Sequence, residues 1–227
     1  MLGAMKKRTW LSWSSGKDSA WALLELQRDP AIELCGLLTT VNETHGRVAM
    51  HAVRQALLEV QAERAGLPLI QVNIPSPCTN EQYSEAMSAA MQRAKADQIQ
   101  AVAFGDLYLE DIREYREKNL EPTGIEPLFP LWQRNTKDLA QTMIEGGLQA
   151  TLTCVDPKQC PQEFVGRAFD AQLLKDLPDS VDPCGENGEF HTFVHAGPMF
   201  SAPIDIRVGE RVERDGFQFA DILPATA

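Results

Sequence analysis

Ser14-Ser15-Gly16-Lys17-Asp18-Ser19 joins an apolar run, Arg8–Trp13, to a stretch where Ala20, Leu23, Leu24 and Gln27 recur at helical spacing. A strand, a turn of small residues and then a helix is the opening of a β–α unit. Small residues let the backbone approach an anion closely, and the first turn of a helix offers it unpaired N–H groups. Lys17 adds a positive charge, and the hydroxyls of Ser14, Ser15 and Ser19 can bond phosphate oxygens. Asp18 is repelled by phosphates unless it caps the helix or holds Mg2+. The same residues also suit an ordinary capped helix after a tight turn, so the loop alone leaves both readings open.

Outward from the loop the pattern repeats. Ile32–Val41 is a nearly continuous apolar strand, as when both faces of a sheet are covered. His51–Ala65 carries Val53, Ala56, Leu57 and Val60 at i, i+3, i+4 and i+7, which predicts an amphipathic helix. Leu67–Ile74 is a third strand. Thr79 followed by Gln82 forms a capping-box start for a helix to about Ala96, and Ala101–Gly105 is a fourth strand. Alternation of this kind predicts an α/β fold: a parallel sheet with right-handed crossovers and helices on both faces. Ligands of such sheets sit beyond the carboxyl ends of the strands, which singles out the loop after the first strand and Gly105-Asp106 after the fourth.

Past Leu120 the texture changes, with Pro122, Gly124, Pro127 and Pro130 breaking the chain. We therefore expect a nucleotide-binding domain over residues 5–122 and a smaller C-terminal α+β domain over 123–227. In the second, Thr136–Glu145 reads as a helix ended by Gly146-Gly147 and Ala150–Val155 as a strand. The tail from Phe190 alternates apolar and polar residues.

The chain has 227 residues, and its net charge of -11 argues against a broad nucleic-acid interface, which needs clustered Lys and Arg. Lys6-Lys7-Arg8 before an apolar run imitates a signal peptide, but Lys17 and Asp18 interrupt that run too early. No run approaches a membrane span. Met1-Leu2-Gly3-Ala4 ahead of Met5 reads as an addition to the natural start. Cys35, Cys78, Cys154, Cys160 and Cys184 include no Cys-x-x-Cys pair, so reduced thiols in a cytoplasmic protein are expected rather than a zinc or redox site.

The loop resembles the Ser-Gly-Gly-x-Asp-Ser signature of the PP-loop ATP pyrophosphatases, with Ser15 in place of the first Gly. It is not a Walker loop, because Leu11 stands where that motif needs Gly and Asp18 where it needs Ser or Thr. A second stretch, Pro183-Cys184-Gly185-Glu186-Asn187-Gly188-Glu189-Phe190-His191-Thr192, resembles the Glu-Gly-Gly-Glu-(Phe/Tyr)-Glu-(Thr/Ser) segment of the diphthine–ammonia ligase group. Bacterial members of that group are described as adenine nucleotide alpha hydrolases. Gly105-Asp106, Arg47–His51, and Pro130-Leu131-Trp132 with Gly146-Gly147 are also similar to it.

The resemblance implies a Rossmann-like sheet of the HUP type. It also implies ATP as nucleotide substrate with Mg2+, cleavage to AMP and pyrophosphate, adenylation of an acceptor carboxylate, and amidation by ammonia from solution or a partner. The acceptor is unnamed, a small molecule or a protein side chain, and a homodimer is an expected assembly. Rival readings are a nucleotide-sensing module without turnover and an RNA-modifying adenylase.

The residues expected at the site follow from the two motifs. Lys17, Asp18 and Asp106 are the catalytic candidates, with Asp18 a Mg2+ ligand. Ser14, Ser15, Gly16, Ser19 and Gly105 accompany Lys17 and Asp18 around the nucleotide. The resemblance further implies an adenine contact from the second strand near Leu38–Val41, hence Thr39, Thr40 and Val41. Glu186, Asn187, Glu189 and His191 are the acceptor-side candidates. Several carry a plainer alternative. Asp106 suits a helix cap, Glu186 and Glu189 a polar turn, and His51 a cap or packing role; Arg113 and Arg116, three apart on one helix face, could meet pyrophosphate but also suit a solvated, salt-bridged face. Asn187 and His191 depart from the family pattern, which has Gly and Glu there. Replacing a Glu by His removes negative charge, which favours a less cationic acceptor than diphthine.

Overall fold

A computed structural model describes residues 5–42, 47–48 and 53–225. The chain runs β1 (Lys7–Ser12), α1 (Lys17–Arg28), β2 (Ile32–Asn42), β3 (Arg47–Val48), α2 (Gln55–Ala65), β4 (Leu69–Ile74), α3 (Asn80–Ala96), β5 (Ala101–Ala103), α4 (Glu110–Leu120) and β6 (Glu126–Leu128). It continues with α5 (Thr136–Glu145), β7 (Gln149–Val155), α6 (Ala171–Asp176), β8 (Phe190–Ala196), β9 (Ile206–Arg214) and β10 (Phe217–Pro224). Strands β4, β2, β1, β5 and β6 lie side by side in that order, all parallel, and β3 adds a short antiparallel arm to the end of β2. This is the expected Rossmann-like α/β sheet. β8, β7, β10 and β9 form a separate antiparallel sheet, the expected smaller C-terminal unit.

Alternation along the parallel strands sorts side chains into two layers. Trp10, Ile70 and Val102 pack with Ala90, Met91 and Ala94 of α3 on one face. Leu11, Leu37 and Ala103 face the other way, toward α1 and α2. That second layer continues without a break into Leu152, Phe190 and Phe193 of the antiparallel sheet, so one core joins both units.

α1 lies between the two sheets, and this alters the reading of its sequence. The 3.6-residue stripe predicts one buried face, whereas Ala20, Trp21, Ala22, Leu23, Leu24 and Leu26 are all buried. A helix apolar nearly all round is one covered on both sides. α3 begins as expected, with Thr79 and Gln82 making both hydrogen bonds of the capping box. α2 starts at Gln55 rather than at His51, which lies outside the described residues.

β6 is the element the sequence conceals. Pro122, Pro127 and Pro130 read as breakers, yet Ala101, Val102 and Ala103 pair with Glu126, Pro127 and Leu128. The parallel sheet therefore extends past residue 123, where the second domain was expected to begin. Pro127 is tolerated because β6 is an edge strand, where a missing N–H breaks no ladder bond on the open side.

The loop after β1 is fastened to the second sheet by its backbone. Val194 N–H in β8 donates to Ser15 O at 3.0 Å. The buried Gln61 side chain of α2 donates to both Ser15 O and Val194 O, at 3.1 and 2.7 Å. Ser15 pays for this anchorage with φ of 72°, in the left-handed region. Its hydroxyl is buried and has no partner among the described residues. Holding a non-glycine residue there costs roughly 1–2 kcal/mol, part of which returns as chain entropy when Gly is substituted. We expect Ser15→Gly to stabilise the fold by about 1 kcal/mol in urea titrations, and a loss of stability would contradict this account of the loop.

Candidate active site

Two cavities open at the carboxyl ends of β1, β2 and β5, one apolar and one polar. The apolar cavity, about 460 Å³, is lined by Leu38, Thr39 and Thr40 of β2, by Met87 and Met91 of α3, and by Tyr83 and Tyr115. The polar cavity, about 200 Å³, lies against Gly16, Lys17, Asp18 and Ser19 at the start of α1, with Gly105, Asp106, Glu186 and His191 opposite. Ser12, Ser14, Phe104 and Arg116 line both and form the wall between them.

α1 carries no side-chain cap at Gly16. Ala20 N–H bonds back to Gly16 O and Lys17 N–H to Thr192 Oγ1, each at 3.0 Å. Among the described residues the Ser19 N–H has no acceptor and the Asp18 N–H only its own carboxylate, so the polar cavity meets the donor end of a helix. Gly105 makes this approach possible. A Cβ there would stand 2.9 Å from the Asp18 carbonyl carbon and the Ser19 nitrogen.

Lys17 turns inward. Its residue is 2% exposed, and its ammonium donates to Asp18 Oδ2 at 2.8 Å and Oδ1 at 3.1 Å, and to the Cys184 carbonyl. The faces of Phe190 and Phe169 lie 5.5 and 5.9 Å from it. Burial is the largest influence and opposes the charge, but Asp18 and its acidic neighbours together hold the lysine pKa above its ordinary value.

The stretch 182–192 divides its acidic residues between two tasks. Glu189 is buried and accepts from Asp182 N, Asn187 N and Asn187 Nδ2 at 2.9, 2.9 and 3.0 Å, so it holds the turn together. Asn187 Oδ1 accepts from the Tyr108 hydroxyl at 3.1 Å. Neither residue lines either of these two cavities. Glu186 does; Leu107 N–H donates to its Oε1 at 2.8 Å. Burial pushes the Glu186 carboxyl up to about 7, against the pull of the Leu107 N–H. Burial holds the His191 imidazole down to about 4, and the Lys17 charge adds to the effect. Burial also raises Asp106, with Arg116 opposing.

The structure thus gathers Ser14, Gly16, Lys17, Asp18, Ser19, Gly105, Asp106, Glu186 and His191 around the polar cavity and Thr39 and Thr40 beside the apolar one. Ser15 and Val41 are buried outside both linings, and Val41 belongs to the core. Asp106 is no helix cap, since Leu109 occupies the N-cap of α4; its carboxylate faces Arg116 Nε at 3.5 Å. Arg113 fits the salt-bridged face, pairing with Glu117 at 2.7 Å. Arg116, read the same way from sequence, instead faces both cavities. Its three-residue offset from Arg113 was visible, but no local signal distinguishes the arginine turned toward solvent from the one turned toward the site. Tyr83 and Phe104 carried no signal either.

The chain matches the diphthamide synthase N-terminal domain over residues 7–127 and the diphthamide synthase C-terminal domain over residues 135–223. It belongs to the diphthamide synthase family. The N-terminal match ends at the edge strand β6, and the C-terminal match begins at Asn135, whose side chain caps α5. Among similar proteins, the diphthine–ammonia ligase of Bos taurus is 25% identical over 92% of this chain and 86% of its own. That of Homo sapiens is 25% identical with the same coverage. That of Danio rerio is 27% identical over 92% of this chain and 90% of its own. Within this family frame, both motifs meet at one place: Thr192 of the second accepts from Lys17 of the first.

Two opposing titrations meet in the polar cavity. Burial holds the Glu186 carboxyl up to about 7, above its ordinary value of 4.5, so it lowers stability as pH rises through that window. His191 stays neutral down to about 4, against 6.5, so its burial lowers stability as pH falls through that window. In wild type the two slopes oppose each other between about pH 4.5 and 6.5. Glu186→Gln should unmask a rise of stability with pH there, and His191→Gln a fall, read as difference curves from denaturant titrations. Parallel curves for wild type and both variants would refute these assignments.

Proposed function

We propose that this protein cleaves ATP to AMP and pyrophosphate, adenylates an acceptor carboxylate and passes the acyl group to ammonia. The observation that carries this reading is the pair of cavities joined at one wall. A flat apolar base suits the larger, beside Thr39 and Thr40, and a polyphosphate suits the smaller, across the start of α1. The relatives named diphthine–ammonia ligase support the same chemistry.

In this reaction an acceptor carboxylate oxygen attacks the α-phosphorus. The bond from that phosphorus to the bridging oxygen breaks, and pyrophosphate leaves. The N–H groups of Asp18 and Ser19 face phosphate oxygens and stabilise the charge that builds there. Ammonia then attacks the acyl carbon, AMP departs, and the nitrogen gives up a proton. Glu186, with a carboxyl near neutrality at the cavity wall, is placed to take that proton. The net charge of the chain supports this enzyme over an RNA-modifying adenylase.

Three carboxylates, Asp18, Asp106 and Glu186, line the polar cavity, where a polyphosphate would otherwise repel them. Among the described residues no group of three or more His, Cys, Asp or Glu side chains is close enough to enclose a metal ion. That donor set fits Mg2+, which is held by one or two carboxylates together with substrate phosphates. Asp18 would hold it, and it would neutralise charge on the phosphate oxygens. Among the described residues no helix is long and apolar enough to cross a membrane. We place the reaction in the cytoplasm, where free thiols such as those of Cys35 and Cys78 persist.

The acceptor follows from position 191. His191 lines the cavity and carries no charge at neutral pH, where the family pattern has Glu. A site with one carboxylate fewer attracts a quaternary ammonium less, so the acceptor is a carboxylate less cationic than diphthine.

Phosphorus NMR of the products tests the cleavage: AMP and pyrophosphate are expected, and ADP as main product would sink the assignment. ATP binding with no pyrophosphate release would favour the sensing module instead. For the acceptor, protein supplied with ATP, ammonium and diphthine-bearing elongation factor should form little amide by mass spectrometry. His191→Glu should raise the yield, and efficient amidation by wild type would overturn the specificity argument.

A further inference from the structure

We propose that Arg116 is the side chain that grips the phosphates of the bound nucleotide, from the wall between the two cavities. This rests on ATP being the substrate and names the cation that holds it. A nucleotide with its base in the apolar cavity and its phosphates in the polar one must cross the shared wall of Ser12, Ser14, Phe104 and Arg116. Among the described residues, Lys17 and Arg116 supply the Lys and Arg side chains that line either cavity. They are not equivalent. Lys17 has a side chain 3% exposed, with Asp18 and the Cys184 carbonyl on its ammonium. Turning it toward a ligand would cost the buried ammonium its contacts with Asp18 and the Cys184 carbonyl, a costly exchange.

Arg116 is held in a way that leaves it able to bind. Its guanidinium carbon lies 4.9 Å from the centre of the Phe104 ring, which fixes its position. Its Nε faces Asp106 Oδ2 at 3.5 Å, and its side chain is 29% exposed. That separation is long for a charge-assisted hydrogen bond, for which about 2.7–2.9 Å is usual. A guanidinium presents five donors in one plane, matched to the spacing of phosphate oxygens, so the contacts with Asp106 and the Tyr83 hydroxyl orient the group without saturating it. Asp106 is then a positioning residue for Arg116. The neighbouring Arg113 cannot take the role. It lies 4.9 and 4.8 Å from the rings of Phe129 and Trp132 and is paired with Glu117 at 2.7 Å.

Calorimetry with ATP, and separately with adenosine, on wild type, Arg116→Lys and Arg116→Met tests the proposal. Loss of the guanidinium should weaken ATP binding roughly ten- to hundredfold in Arg116→Met. Arg116→Lys should recover part of it, and adenosine affinity should stay within about twofold of wild type in both, since adenosine has no phosphate to lose. Unchanged ATP affinity in Arg116→Met would overturn the proposal. So would equal weakening for ATP and adenosine, which marks a merely structural arginine. Wild type binding neither ligand would instead overturn the ATP reading itself, so the two failures are distinguishable.

Discussion

The ammonium of Lys17 is the group on which the arrangement of this protein depends. It sits with a side chain 3% exposed at the first turn of α1, and an isolated charge in that position would be prohibitively desolvated. Its environment is therefore complete: the Asp18 carboxylate, the Cys184 carbonyl and the faces of two phenylalanines. Asp18 comes from the first turn of α1, while Cys184, Phe169 and Phe190 come from the second unit. Satisfying one buried cation thus requires both units to be folded and docked.

The same docking shapes the site. β8 reaches the loop through Val194 and Thr192, and the stretch before β8 brings Glu186 and His191 opposite the start of α1. The second sheet consequently supplies one wall of the polar cavity, whereas the apolar cavity is built wholly from the parallel sheet and its helices. The burial of α1 on both sides follows from this geometry, since the helix that carries the loop is also the layer between the sheets.

Within the polar cavity, burial works in opposite directions on acid and base. It keeps a proton on Glu186 toward neutrality and keeps one off His191. The result is a small chamber with less net charge than its residue list suggests. Perturbed acids and bases gathered beside helix-terminal N–H groups are what acyl-transfer and phosphoryl chemistry require.

Local features of this fold were legible because they depend on neighbours in the chain. Short apolar runs identified β1, β2 and β4; Thr79 and Gln82 marked the start of α3; the small-residue loop and the stretch from Pro183 to Thr192 marked the two halves of one site. β6 was not legible, because three prolines imitate a linker and only pairing with β5 makes an edge strand of it. Nor was the direction of long side chains. Lys17 and Arg116 are both cations near a phosphate-type loop, and the sequence favours the first while offering the second as a pyrophosphate contact or a salt-bridged surface residue. Tertiary structure turns Lys17 inward, because its partner Cys184 lies 167 positions away, and leaves Arg116 facing the cavities. The sequence by itself determined where β1, β2, β4, α3 and the loop would form, since those obey periodicity and backbone chemistry. Which charges are buried and which confront a ligand was decided only by the packing of distant segments, because desolvation depends on what surrounds a group in space.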